Sequence, residues 1–353
     1  MPSTHDDTDD VPSADGVPSA DSIPSADGIP STSTREPEPN QSEPTESEAA
    51  PNPSPGDPPD RSPGGRELTV GVTMLAGAVA LIGILVGGLM AGVSLAGQVF
   101  SAWQSAGPLS PGVVGAAMVG VAPGLFMVGR ARIWEEVRTL VLPLVIVLLG
   151  LLAVSLLNAD KLQAAEGGSL FLVLFSLGWV AVLGVLGVCA VGCLVRQYVK
   201  PGRPREDRDV PLEDQGVPRE DRGAVPLPGW SKPFLAVLGS AWFGSGVGLL
   251  ALPGFWGDFV PWQVDRPDAQ ALGVWGLALG VGVLGALAED DLRRLRPALL
   301  ALPGIAVAVA VVVSVRASDV DWTSGPGLAL IGMVSGLLVA GVTGWRLLSA
   351  PSS

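Results

Sequence analysis

Eight long apolar runs restrict this chain to very few folds. They lie near Val70–Leu95, Pro111–Val128, Leu140–Leu157, Leu170–Val195, Phe234–Leu252, Ala271–Ala288, Ala298–Val315 and Gly327–Leu348. Each has about 18–26 residues, enough to cross a hydrocarbon core about 30 Å thick. Lipid offers no water to the backbone, so each run must bond to itself as a helix. A membrane barrel would need alternating strands of about ten residues, a pattern absent from the sequence. The expected fold class is an all-α polytopic membrane protein with eight transmembrane helices. A mean hydropathy of +0.45 agrees with it.

Arginine and lysine positions orient the spans. The connections after runs 2, 4 and 6 hold about 14 of them, and those after runs 1, 3, 5 and 7 hold Lys161, Arg266 and Arg316. Cytoplasmic connections carry the basic excess. This predicts cytoplasmic N- and C-termini and a location in the cell (inner) membrane. Trp103, Trp256, Trp262 and Trp322 are expected near the outer interface, and Trp134, Trp230 and Trp345 near the inner one, where amphipathic rings settle.

The formal charge of −13 belongs mostly to residues 1–66, which hold about 14 acids and 3 arginines. VPSADG, VPSADS, IPSADG and IPSTST follow one another there, before a Pro-, Glu- and Ser-rich stretch. Such a segment buries too little to offset the entropy of ordering it. It reads as a disordered acidic tail. No cleavable signal peptide is visible, because no apolar segment appears before about Leu68. A second low-complexity stretch, 196–232, repeats PREDRDVPL as PREDRGAVPL and reads as a disordered cytoplasmic linker.

Two phrases recur across that linker. Phe100, Trp103, Gln104 and Pro108 fall on Phe259, Trp262, Gln263 and Pro267, and Glu135-Glu136-Val137-Arg138 falls on Asp290-Asp291-Leu292-Arg293. Each lies at an equivalent place in its half. Four crossings return the chain to its starting side, so the halves 67–195 and 233–348 read as two parallel four-helix repeats, with 349–353 a short tail. The Trp-Gln phrase reads as an amphipathic interfacial turn, ended by Pro. The acidic phrase reads as a helix start, where the dipole favours negative charge. Trp103, Gln104, Trp262, Gln263, Glu135, Glu136, Arg138, Asp290, Asp291 and Arg293 are therefore the interfacial or partner-facing candidates.

The run of Trp-Gln, Pro, a Gly/Ala-rich span, Arg130-x-x-x-Trp134-Glu-Glu-Val-Arg138 and an apolar span ending in Asn158-Ala-Asp-Lys-Leu162 resembles uncharacterised multi-pass membrane proteins of actinobacteria. The stretches Glu289–Pro297 and Asp319–Trp322 are similar. The resemblance covers about residues 95–345 and implies location and topology, with no assigned activity. The chain departs from it in lacking a His after run 3, where Asn158, Asp160 and Lys161 stand.

Chemistry is sparse. No Asp, Glu, Lys, Arg or His lies in the middle of a run, whereas ion-coupled transporters place such groups there. His5 is the one histidine and lies in the tail, so a Ser-His-Asp triad cannot be built. No phosphate loop, His-Glu-x-x-His or Gly-x-Ser-x-Gly occurs. Cys189 and Cys193 share one helical face and read as small buried residues. Ser155, Ser176, Ser240, Ser245, Ser335 and Thr343 are expected to bond their own helix backbones. Recurrent Gly-x-x-x-Gly pairs imply a tightly packed bundle. The expectation is a non-catalytic membrane component, in contact with the bilayer and an unknown membrane or cytoplasmic protein, with no cofactor, metal or nucleic acid. The alternative is a permease or channel for neutral or lipid-like molecules.

Overall fold

A computed structural model describes residues 68–131, 133–167, 169–199 and 225–349. The expected tail at 1–66, the centre of the linker and residues 350–353 lie outside the described residues. Within them stand eight helices long and apolar enough to cross a membrane. They are α1 Val70–Leu95, α2 Leu109–Val128, α3 Arg138–Leu157, α4 Leu170–Val199, α5 Ser231–Ala251, α6 Arg266–Glu289, α7 Leu292–Val315 and α8 Gly325–Ser349.

Local chemistry sets several boundaries. Pro267 stands in the first turn of α6, and Pro297 in the first turn of the α-helical part of α7, which begins at Arg296, where a missing N–H costs nothing. Gly83–Gly87 widens α1 into a π turn. Pro123, Pro143 and Pro303 lie inside α2, α3 and α7. α4 runs on to Val199, four residues past the expected run, because nothing in Arg196–Val199 breaks a helix.

Helix α2 packs between α1 and α7, and α6 packs between α5 and α3. α7 also carries α8, α3 carries α4, α4 returns to α1, and α8 touches α5. The second and third helices of each half thus insert against the third and second of the other. Neither set of four consecutive helices closes as a bundle by itself. Small residues allow the closest crossings. A methyl on Gly304 of α7 would collide with the Gly120 carbonyl oxygen of α2. Between α1 and α2, a Cβ on Gly115 would stand 2.6 Å from the Gly87 carbonyl oxygen.

Two departures from expectation concern α4 and the linker. Cys189 is exposed on α4, and Cys193 is half-buried against Gly71. An apolar thiol is as compatible with lipid as with a protein core, so sequence alone misplaces it. The linker is narrower than 196–232: Arg196–Val199 are helical, and residues 225–230 are ordered against the turn after α6, as described below.

Candidate interaction sites at the two ends of the bundle

At the end where α1 finishes and α2 begins, Trp103 sits in an extended stretch. Gln104 N–H donates to the Lys161 carbonyl and Gln163 N–H to the Ala102 carbonyl, both at 3.0 Å. In the connection between α5 and α6, the Pro261 carbonyl accepts from Asp321 N–H at 2.8 Å. This pairing turns the Trp103 ring inward, leaving it 2% exposed. Its indole Nε1–H donates to Asp268 Oδ1 at 2.8 Å, and Ser105 Oγ–H donates to the same oxygen at 2.9 Å. Trp262 Nε1–H donates to Ser110 Oγ at 2.9 Å. Each tryptophan thereby reaches the first turn of the other half's second helix.

The interfacial reading of Trp103 is therefore corrected. A buried indole N–H needs a partner, and Asp268 supplies one inside the bundle. Trp262 is half-buried, whereas Gln104 and Gln263 remain exposed. Asp268 itself is 1% exposed in the first turn of α6, where the helix dipole favours its charge. Its Oδ2 has no hydrogen-bond partner among the described residues. Alongside, Asn158 Nδ2 donates to Gln270 Oε1 at 2.7 Å, tying the end of α3 to α6. Asp268 and Gln270 do not stand out in the sequence, and Asn158 does so only through the resemblance. The Asp-Arg-Pro-Asp start of α6 looks like an ordinary helix N-terminus, and only the reach of Trp103 gives Asp268 its role.

At the arginine-rich end the two acidic phrases meet. The turn Trp134–Glu136 packs against the turn Leu292–Leu295. Between them lies Glu289, whose side chain is 3% exposed and pairs with both Arg138 and Arg294, the latter at 2.9 Å. Arg294 also reaches Asp291 at 3.3 Å. Glu289 stands one residue past the run Ala271–Ala288 and enters the sequence reading only within the stretch Glu289–Pro297, with no role of its own. Nearly half of each of the Arg138 and Arg294 side chains is open to solvent, and Glu135, Glu136 and Asp290 are half-buried. Trp134 is buried rather than interfacial, edge-on to Tyr198.

Asp290 ends α6 in the left-handed region at φ 48°, a geometry that lets the chain reverse. Its carboxylate accepts from Lys232 Nζ at 2.6 Å and Leu227 N–H at 3.1 Å. The Lys232 hydrogen bond, reinforced by that of Leu227, holds its carboxyl below the ordinary carboxylate value. Asp291 Oδ1 accepts from Arg293 N–H at 3.0 Å and Val225 N–H at 3.2 Å, and Leu292 N–H donates to the Val225 carbonyl at 2.9 Å. The chain entering α5 is thus strapped across the α6–α7 turn, with Leu227 buried. Arg293 itself is exposed.

Between the two ends, a chamber of about 60 Å³ lies among the inner helices. Thr139, Leu140, Trp275, Leu279, Leu299 and Ile305 are among the side chains around it. Thr139 Oγ1 and Trp275 Nε1 are buried without a hydrogen-bond partner among the described residues. Ser155, Ser245 and Ser335 bond helix carbonyls three or four residues back, whereas Ser176 Oγ, expected to do the same, is buried without a hydrogen-bond partner among the described residues. Among the described residues, no group of His, Cys, Asp or Glu side chains is arranged to hold a metal ion.

No family model, curated protein or solved structure matches this chain.

Proposed function

We propose that this is a multi-pass protein of the cell (inner) membrane, with both termini cytoplasmic, that acts without catalysis of its own through a membrane or cytoplasmic protein partner. Its architecture is two parallel four-helix repeats of common origin. A shift of about 159 residues relates Trp103 to Trp262 and Gly87 to Gly246, and the paired hydrogen bonds at Ala102 and Pro261 support the same register. The observation that carries the functional reading is the packing of the turn Trp134–Glu136 against the turn Leu292–Leu295, with Arg138 and Arg294 meeting on Glu289, which supports reading Glu135, Glu136, Arg138, Asp290, Asp291 and Arg293 as one charged region. Charged groups concentrated on half-exposed turns suit recognition by a protein surface.

The test is native mass spectrometry of the protein gently solubilised from its own cells, beside an Arg293→Glu variant. A stoichiometric protein partner that the variant loses is the expected result. A retained small molecule with no protein partner would overturn it. That outcome would favour the second reading, a permease for neutral or lipid-like molecules, which rests on the apolar chamber and the two unpartnered donors Thr139 and Trp275.

A further inference from the structure

The connection between α5 and α6 differs from its earlier counterpart in a concentrated way. With Phe100 set on Phe259 and Trp103 on Trp262, residues Ala96, Gly97, Val99, Ala106 and Gly107 fall on Phe255, Trp256, Asp258, Asp265 and Arg266. Five small or aliphatic residues give way to two aromatics, two acids and an arginine. Four of the five line one open groove of about 940 Å³, together with Leu252 and Gln263. The fifth, Trp256, seats its ring against Gly248 of α5 and anchors the short helix Pro253–Trp256.

The groove lies between the last residue of α5 and the first of α6, at the depth where a span meets the headgroups. Phe255 and Phe259 are 60% and 53% exposed, with ring centroids 5.4 Å apart. Exposed aromatics at a span end sit among acyl chains and glycerol esters. Asp258, Asp265 and Arg266 are exposed and form no ion pair among the described residues. Asp265 is the N-cap of α6, yet its side chain makes no capping bond. Two carboxylates and one arginine therefore share the groove, so it favours a cation and offers one guanidinium to an anion beside it.

We propose that this groove holds the headgroup of a phospholipid that carries a primary ammonium beside its phosphate, that is, phosphoethanolamine. The ammonium is recognised by Asp258 and Asp265, and the phosphate by Arg266, whose planar fork suits phosphate oxygens. The acyl chains follow Leu252 and Phe255 into the bilayer. An anionic glycerol headgroup brings no cation to the two carboxylates. A choline headgroup brings one that cannot donate hydrogen bonds. The site goes beyond the partner-binding reading and lies at the opposite end of the bundle from the charged region.

The experiment places the full-length protein in nanodiscs of equal phosphatidylethanolamine, phosphatidylglycerol and phosphatidylcholine, then reads bound lipids by native mass spectrometry. Phosphatidylethanolamine should be retained over both others. Asp265→Asn and Arg266→Gln should each lower that retention about tenfold, the size of one charge-assisted hydrogen bond. Adducts of phosphatidylglycerol held at the arginine-rich end should not change, which reports that the variants remain folded. Equal retention of the three lipids, or a phosphatidylethanolamine preference that both variants keep, overturns the proposal.

Discussion

Trp103 and Asp268 are 165 positions apart in the chain, and their 2.8 Å hydrogen bond joins the first connection to the first turn of α6. Trp262 makes the reciprocal reach to Ser110 at the start of α2. The two bonds clamp the halves at one end, while Arg138 and Glu289 join them at the other. They differ in chemistry: Trp103 meets a buried carboxylate, and Trp262 meets a hydroxyl.

That difference sets the first prediction. Trp103→Phe leaves a buried carboxylate short of a donor, and a hydrogen bond to a charged group contributes about 1.5–3 kcal/mol. Trp262→Phe removes a neutral, half-buried bond worth about 0.5–1.5 kcal/mol. Thermal unfolding in detergent should therefore show the larger loss for Trp103→Phe. Equal losses would mean that Asp268 does not need the indole.

Helix contact supplies the second. Gly304→Ala forces α2 and α7 apart, because the obstacle is the Gly120 backbone. Overpacking of this kind costs about 1–3 kcal/mol. Gly184→Ala, on a face of α4 with open space around it, should be neutral or slightly stabilising. The same unfolding assay checks both, and a neutral Gly304→Ala would refute the tight crossing.

Thr139→Val tests the inner chamber. An unpartnered buried hydroxyl is unfavourable, so replacing it with an isosteric methyl should stabilise the protein by about 1 kcal/mol. A loss of stability would show that the hydroxyl is bonded to an occupant, as the permease reading requires.

Acidification should loosen the strap at Asp290. Its carboxyl titrates below the ordinary 3.8 in the folded chain, chiefly because Lys232 donates to it. A depressed native value means the contribution is complete above the unfolded value and is lost as pH falls through the native one. Stability should thus decline below about pH 4, and Lys232→Gln should flatten that part of the profile. Unfolding temperatures measured from pH 6 down to pH 3 decide it, and an unchanged slope in the variant would remove Lys232 as the cause.

Orientation is open to labelling. In a background with Cys189 and Cys193 replaced by Ala, a Gln263→Cys variant should react with a membrane-impermeant maleimide in intact cells. An Arg293→Cys variant should react only after permeabilisation. The opposite pattern would invert the topology.

The number of spans, their helical state and the side on which arginines gather were all legible in the sequence. Those properties follow from local composition and from lipid as the surrounding solvent, which forbids an unpaired backbone. The start of α2 came within two residues, Leu109 against an expected Pro111. Which apolar face meets protein and which meets lipid was not legible, because hydropathy treats the two environments alike. Hence Cys189 reads as buried and is exposed, while Trp103 reads as interfacial and is buried. Glu289, Asp268 and the strap at Val225–Leu227 also required the tertiary structure. Each acquires its role from a partner about 60 to 165 positions away, and only the interleaving of α2 and α3 with α6 and α7 brings most of those partners within reach.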